Sequence, residues 1–186
     1  MINKLAHSRV YLVGPMDRAP DAGVGWRKRI QDDLADLNLI WLDPTQKPID
    51  IGLEDANSRA RRVKAKAEGD YDTITKEMKV IRHVDLRMTD VSDFIVAHID
   101  TNIYSFGTIE EIVTANRMKK PIVVHIEQGK PNTPDWLFAM IPHQMIFSTW
   151  EEVYGYLRHI ARDEEFDPME RWLMFDWQGE VIGRPY

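Results

Sequence analysis

The residues of this sequence that are best suited to chemistry are a glutamate and a group of small polar residues just before it. Ser105, Gly107 and Thr108 lie in a predicted turn between a strand and a helix. Their hydroxyl groups, with the free backbone amides at the start of the helix, can bind a phosphate group or sugar hydroxyls. Glu111 follows in the first turn of that helix, where its carboxylate could attack the bound group. The alternative is that Ser105 or Thr108 only caps the helix.

Two adjacent glutamates compete for this role. Helical geometry, at about 100° per residue, places the apolar residues Ile109, Ile112 and Val113 on one face of the predicted helix. Glu111 lies at the edge of this face, whereas Glu110 lies farther round, towards solvent. We therefore expect Glu111 to line a pocket, with the positive end of the helix dipole keeping it ionised.

A second carboxylate is available shortly before the same strand. Asp85, Asp90 and Asp93 cluster in the segment HVDLRMTDVSD. Asp93 is placed to orient the start of the strand, and Asp90 can be an ordinary loop residue. Asp85 lies on the last part of a predicted helix that leads to the sheet edge, so it is the better candidate. Cleavage of a glycosidic bond uses such a pair, one to attack the sugar and one to handle the proton of the leaving group.

Other kinds of catalytic centre lack the residues that they need. The chain has no cysteine, which excludes disulfides, thiolate metal sites and thiol catalysis. The six histidines show no HExxH or other ligand spacing, and no GxSxG motif is present, so neither a metal site nor a serine triad is predicted. Gly14 follows the first strand, where it either lets a ligand approach the backbone closely or only allows a tight turn at the end of the strand. It is not part of a GxGxxG or GxxxxGK[ST] motif.

The hydrophobic pattern alternates between strands and helices along the chain. Strands are predicted at residues 9–13, 39–42, 94–99, 121–125 and 144–147. Helices are predicted at residues 26–37, 53–88 with a break at Gly69, from Gly107 onwards, and at 150–162; residues 129–136 are predicted as a loop. Continuously apolar inner strands indicate a parallel sheet covered on both faces. Ligands of such sheets bind at the carboxyl ends of the strands, where the turn before Glu111 lies.

Length and charge narrow the class of protein. With 186 residues, 44% of them hydrophobic, we expect one globular domain at residues 1–162. The remaining residues, 163–186, form an aromatic tail that needs burial on the domain or on a neighbouring subunit. A net charge of −6 argues against nucleic-acid polymers as partners. No signal peptide or membrane span is predicted, so we expect a cytoplasmic protein.

One basic stretch has two interpretations. The segment SRARRVKAK, residues 58–66, carries five cationic side chains within a predicted helix. It is either a solvated helix face or a mobile flap over an anionic ligand.

Several motifs together resemble one known family. These are YLVGPM at residues 11–16, VDL at 84–86, SDFIVAHID at 92–100, SFGTIEEIVTA at 105–115 and KKPIVV at 119–124. In this order they resemble the nucleoside 2-deoxyribosyltransferase family, including its relatives that hydrolyse nucleoside 5′-monophosphates. The resemblance covers about residues 9–126. It implies a three-layer α/β sandwich, flavodoxin-like or Rossmann-like, with about five parallel strands.

The resemblance also implies roles for individual residues. Glu111 would be the nucleophile that forms a covalent glycosyl-enzyme, Asp85 the acid/base that acts on the base, and Tyr11 a support for the nucleophile. The sugar would then pass to a second free base, or to water in a hydrolase. The substrate-binding residues would be Gly14, Met16, Arg18, Ser105, Gly107 and Thr108. No metal or organic cofactor is implied, and a homo-oligomer is expected. A non-catalytic nucleotide-binding protein is an alternative of another class.

One position departs from the members that act on free nucleosides. Those members tend to have an acidic residue six positions before the nucleophile, and Ser105 stands there in this chain. A serine resembles the branch that accepts a 5′-phosphate, because a carboxylate would repel the dianion. Arg18 could supply a counter-charge.

Overall fold

The computed structural model describes residues 3–47, 52, 56–162 and 172. In this part of the chain the strands form one parallel sheet in the order β2-β1-β3-β4-β5. The strands are β1 (Arg9–Val13), β2 (Ile40–Leu42), β3 (Phe94–Ile99), β4 (Ile122–Ile126) and β5 (Ile146–Phe147). The helices are α1 (Val24–Asp33), α2 (Ala56–Glu68), α3 (Tyr71–Val91), α4 (Phe106–Arg117), α5 (Asp135–Phe138) and α6 (Trp150–Arg162).

Helices cover both faces of the sheet. Every residue of β3 and β4 is buried, which explains why these strands are apolar on both sides rather than alternating. Helices α3 and α4 pack together on one face, and α1 and α6 pack together on the other. The predicted three-layer, flavodoxin-like α/β sandwich with five parallel strands is confirmed.

The register of the sheet decides which side chains share a face. Tyr11 of β1 lies opposite Ile95 of β3, and successive side chains in a strand alternate between faces. Tyr11 therefore faces the layer of α3 and α4. His98, three residues beyond Ile95, faces the layer of α1 and α6, as its ring contact with Trp26 shows.

The predicted strands and helices are all present, and several of their bounds differ from the prediction. The predicted helix break is confirmed: Gly69 has φ +75°, and Asp70 then caps α3 by accepting a hydrogen bond from the Thr73 amide. The first helix ends at Asp33, earlier than predicted, because a 3₁₀ turn follows it. Strand β5 is shorter than predicted because residues 143–145 form another 3₁₀ turn. The predicted loop at 129–136 runs into the one-turn helix α5.

Helix α2 carries the basic stretch. Arg62 is buried, and its guanidinium binds the carboxylates of Asp17 at 2.6 Å and Glu77 at 3.0 Å. This contact fixes α2 against both the β1–α1 loop and α3. The other cationic side chains of the stretch are exposed, as in the solvated-face interpretation.

The tail at residues 163–186 lies outside the described residues except for Trp172. That side chain is fully buried, its ring centroid lies 5.0 Å from that of Phe94, and its Nε1 donates a hydrogen bond of 2.8 Å to the hydroxyl of Tyr156. The proposed division of the chain at residue 162 stays a prediction. None of the described helices combines the length and the apolar character needed to cross a membrane.

Candidate active site

A cavity of about 600 Å³ opens where β1 and β3 end, on the face covered by α3 and α4. All of the site residues predicted from the sequence line it: Tyr11, Gly14, Met16, Arg18, Asp85, Ser105, Gly107, Thr108 and Glu111. A volume of this size is typical of sites for small molecules. The fold thus brings together residues from β1, the β1–α1 loop, α3 and α4 that are up to 100 positions apart.

The Glu111 carboxylate is held by Tyr11. The tyrosine hydroxyl donates a hydrogen bond of 2.6 Å to Oε1 of Glu111, and both residues are buried. The pKa of Tyr11 lies well above its ordinary value, first because of burial and then because of the negative charges of Glu111 and Asp85. Tyr11 therefore stays a hydrogen-bond donor at any physiological pH. A bond from a neutral donor to a carboxylate is charge-assisted and orients the carboxylate.

Asp85 is held in a different way. The ammonium group of Lys47 lies 2.8 Å from Oδ1 of Asp85, and the same ammonium donates a hydrogen bond of 2.6 Å to the Gly52 carbonyl. Burial raises the pKa of Asp85, while Lys47 and Arg27 act in the opposite direction. The net result is a carboxyl group that retains its proton more readily than an exposed one, as a general acid requires.

The hydroxyl groups before α4 bond to each other rather than to the helix. Ser105 occupies the N-cap position of α4 but makes no side-chain capping bond, and its Oγ lies 2.7 Å from Oγ1 of Thr108. This pair of hydroxyls differs from the simple capping alternative. A Cβ at residue 107 would meet no atom within 4 Å, so Gly107 leaves open space beside the pair.

Gly14 has a packing reason to be glycine. A Cβ there would lie 2.8 Å from Trp26, closer than Cβ contacts in proteins, and 3.2 Å from the His98 carbonyl, which is also a tight contact. Its predicted role in the approach of a ligand stays a prediction. The Gly14 carbonyl accepts a hydrogen bond of 2.9 Å from Arg27, a buried residue that also binds the carbonyls of Leu12 and Gly23. Arg27 thereby holds the chain where it leaves β1.

Cationic groups lie at the rim of the cavity. Arg18 is exposed there. Arg82 of α3 also lines the cavity and pairs with Glu110, with Nε at 2.8 Å from Oε2. Glu110, expected towards solvent, is half exposed but also lines the cavity, where it pairs with Arg82, whereas Glu111 is buried.

Sequence reasoning missed Lys47, Arg27 and Arg82. Lys47 follows β2 in a short turn, and nothing in its local sequence indicates that it contacts α3. Arg27 stands in a helix where a charged residue would ordinarily face solvent. The only local indication is that Arg27 lies one helical turn after Gly23, whose carbonyl its guanidinium can therefore reach.

A separate group of titratable residues lies on the opposite face of the sheet. His98, His125 and Glu127 offer ligand atoms within 4.8 Å of one another, which local motif spacing could not reveal because they come from adjacent strands. The two Nδ1 atoms of the histidines are 3.0 Å apart and share a hydrogen bond. Burial lowers the pKa of His98 to about 4 and also lowers that of His125, so both rings are neutral. The two rings pack against Trp26 and Trp150, and His125 stacks on Trp150 with ring centroids 4.3 Å apart.

Comparisons with known proteins give a likeness of fold. No protein-family model and no curated protein matches this sequence. A 2-deoxyribosyltransferase from Bacillus psychrosaccharolyticus has a similar structure, with a TM-score of 0.54 and 17% identity over 80% of this chain and 92% of that chain. A 2-deoxyribosyltransferase from Leishmania mexicana gives a TM-score of 0.51 and 17% identity over 82% and 98%. A conserved protein from Enterococcus faecalis V583 gives 0.53 and 15% over 83% and 99%.

Proposed function

We propose that this chain is an N-glycosyl transferase of the nucleoside 2-deoxyribosyltransferase type. Its substrate is a nucleoside or nucleoside 5′-monophosphate, and it passes the sugar to another free base. The observation that carries the proposal is the buried Tyr11–Glu111 hydrogen bond of 2.6 Å in the same cavity as Asp85. We further propose, from the resemblance of the motifs, that the enzyme is a cytoplasmic homo-oligomer that uses no metal or organic cofactor.

The first half of the reaction breaks the bond between sugar and base. Glu111 attacks C1′ of the sugar and forms an ester with it, while the C1′–N bond breaks and its electrons go to the base. Asp85 gives its proton to the base nitrogen as the base departs. Tyr11 keeps the attacking carboxylate aimed at C1′.

The second half reverses these roles. A nitrogen of the incoming base attacks C1′, the ester bond breaks, and Glu111 leaves as a carboxylate. Asp85 accepts the proton released by the incoming base. At the end of the second half, Glu111 is again a carboxylate and Asp85 again carries its proton, so the enzyme can begin another cycle.

A nucleoside 5′-monophosphate hydrolase is the second candidate, and Ser105 favours it. The paired Ser105 and Thr108 hydroxyls, with Arg18 at the rim, suit a 5′-phosphate better than a carboxylate at residue 105 would. Water would then take the place of the incoming base.

The test is a chromatographic assay of a nucleoside and nucleotide panel, with and without a second free base. A transferase yields the exchanged nucleoside, whereas a strict hydrolase yields only free base and free sugar or sugar phosphate. Glu111→Gln should lower turnover by roughly 1,000-fold or more. Glu127→Gln, on the opposite face of the sheet, is the matched control and should keep activity. Mass spectrometry of acid-quenched enzyme should show a sugar adduct on the wild type and none on Glu111→Gln. Turnover by Glu111→Gln at the wild-type rate would refute the mechanism.

A further inference from the structure

We infer that Lys47 is a positioning residue that makes Asp85 a better proton donor to the departing base. The inference rests on the proposed function. The side chain of Lys47 is fully buried, and its ammonium is 2.8 Å from Oδ1 of Asp85. Lys47 does not line the cavity, whereas Asp85 does. Lys47 therefore stands behind the carboxyl group and acts on the substrate only through it.

The contacts of the ammonium determine which oxygen carries the proton. Oδ1 of Asp85 is buried and faces the ammonium of Lys47 at 2.8 Å, and among the described residues it has no hydrogen-bond donor other than that cation. A proton on Oδ1 would face the cation and be repelled. The exchangeable proton therefore resides on Oδ2, from which it can pass to a bound base.

The charge of Lys47 matters most when the proton leaves. Proton transfer from Oδ2 to the base nitrogen leaves a carboxylate in a buried site, which is costly without a counter-charge. Lys47 is already in place to compensate that new charge, so no reorganisation is needed during the step. The Gly52 carbonyl fixes the ammonium from the other side, at 2.6 Å.

The experiment is a double-mutant cycle with Lys47→Met and Asp85→Asn, measured as kcat for release of the base. Lys47→Met alone should lower kcat by about 10- to 100-fold with little change in KM, since it removes the buried cation paired with the carboxylate. In the Asp85→Asn background the same change should alter kcat by less than about twofold. Lys120→Met is the matched control: that half-buried ammonium binds the carbonyls of residues 89 and 90, away from the cavity, and its loss should leave kcat unchanged.

A pH profile gives a readout that a merely structural lysine would not move. Activity falls at high pH when Asp85 loses its proton. Removing the cation favours the protonated carboxyl group, so this basic limb should move to higher pH in Lys47→Met. If kcat of Asp85→Asn is too low to be measured in the double-mutant cycle, the shift of the basic limb in Lys47→Met tests the inference by itself.

Three results would overturn the inference. One is a folded Lys47→Met enzyme with wild-type kcat and an unmoved basic limb. Another is an equal loss of kcat in the wild-type and Asp85→Asn backgrounds. The third is failure of Lys47→Met to fold even beside Asp85→Asn, which would give the lysine a role in folding that is independent of the carboxylate. A failure of the proposed function is distinct, because it would show as an inactive wild type or an active Glu111→Gln.

Discussion

Replacing Tyr11 with phenylalanine tests the hydrogen bond between Tyr11 and the proposed nucleophile. The change removes the hydroxyl that lies 2.6 Å from Oε1 of Glu111 and keeps the buried ring. Hydrogen bonds to charged groups contribute about 1.5–3 kcal/mol. That range corresponds to a loss of about 10- to 150-fold if the whole bond acts in the rate-limiting step.

The two halves of the reaction should respond differently. In the first half, Glu111 loses negative charge as it bonds to C1′, so its bond with Tyr11 weakens towards the transition state. In the second half, the charge returns to Glu111 as the ester breaks, and the bond with Tyr11 strengthens. Only an interaction that strengthens towards the transition state accelerates a step. Tyr11→Phe should therefore slow breakdown of the glycosyl-enzyme more than its formation.

Rapid-quench measurement of free base tests this asymmetry. Tyr11→Phe should release one equivalent of base in a burst and then turn over slowly, and the quenched protein should carry the sugar adduct. Tyr154→Phe, a buried tyrosine of α6 on the opposite face, is the control and should behave like the wild type. A slow variant with no burst and no adduct would show that Tyr11 acts before the ester forms. A variant with unchanged kcat would show that the bond has no role in catalysis.

Two further predictions concern stability. Gly14→Ala should lower the free energy of unfolding by about 1–3 kcal/mol, measured in a urea titration, because the new methyl group would lie 2.8 Å from Trp26; an unchanged midpoint would contradict this packing. For His98, whose folded pKa of about 4 lies below the ordinary 6.5, the unfolded chain binds the proton first on acidification. Its contribution is fully present above pH 6.5 and is lost as pH falls towards 4, by about 3 kcal/mol at 1.36 kcal/mol per pKa unit. The free energy of unfolding of His98→Gln should fall less than that of the wild type between pH 6.5 and 4. Parallel curves of unfolding free energy against pH would refute the lowered pKa of His98.

The sequence predicted the elements whose signals are local. Strand β3 was predicted with its observed bounds because five of its six residues are apolar, a composition typical of a buried strand. The break at Gly69 was predicted because glycine adopts positive φ without strain. Asp85 and Glu111 could be singled out because each is a carboxylate on a helix that flanks β3. That they line one cavity is shown by the structure rather than by the topology, since the end of α3 and the start of α4 meet opposite ends of that strand.

Contacts that depend on tertiary packing could not be predicted in this way. Lys47 reaches Asp85 only because the turn after β2 lies against α3, and no local pattern encodes that approach. The bond between His98 and His125 depends on the register of β3 against β4. A sequence reading that searches for ligands at fixed spacing along the chain misses residues that become neighbours across strands.

The two carboxylates of the site differ in the donor that holds each of them, and this difference supports the roles proposed for them. Glu111 accepts its bond from a neutral hydroxyl, which orients the group without neutralising its charge, as a nucleophile requires. Burial raises the pKa of Asp85, so this group holds a proton more readily than an exposed carboxyl group, and the cation beside it stabilises the carboxylate that remains once the proton has gone. If the donors were exchanged, a lysine beside Glu111 would weaken the nucleophile, and a tyrosine beside Asp85 would leave the acid reluctant to ionise. Two carboxyl groups of similar intrinsic acidity are thus fitted for opposite tasks by their surroundings.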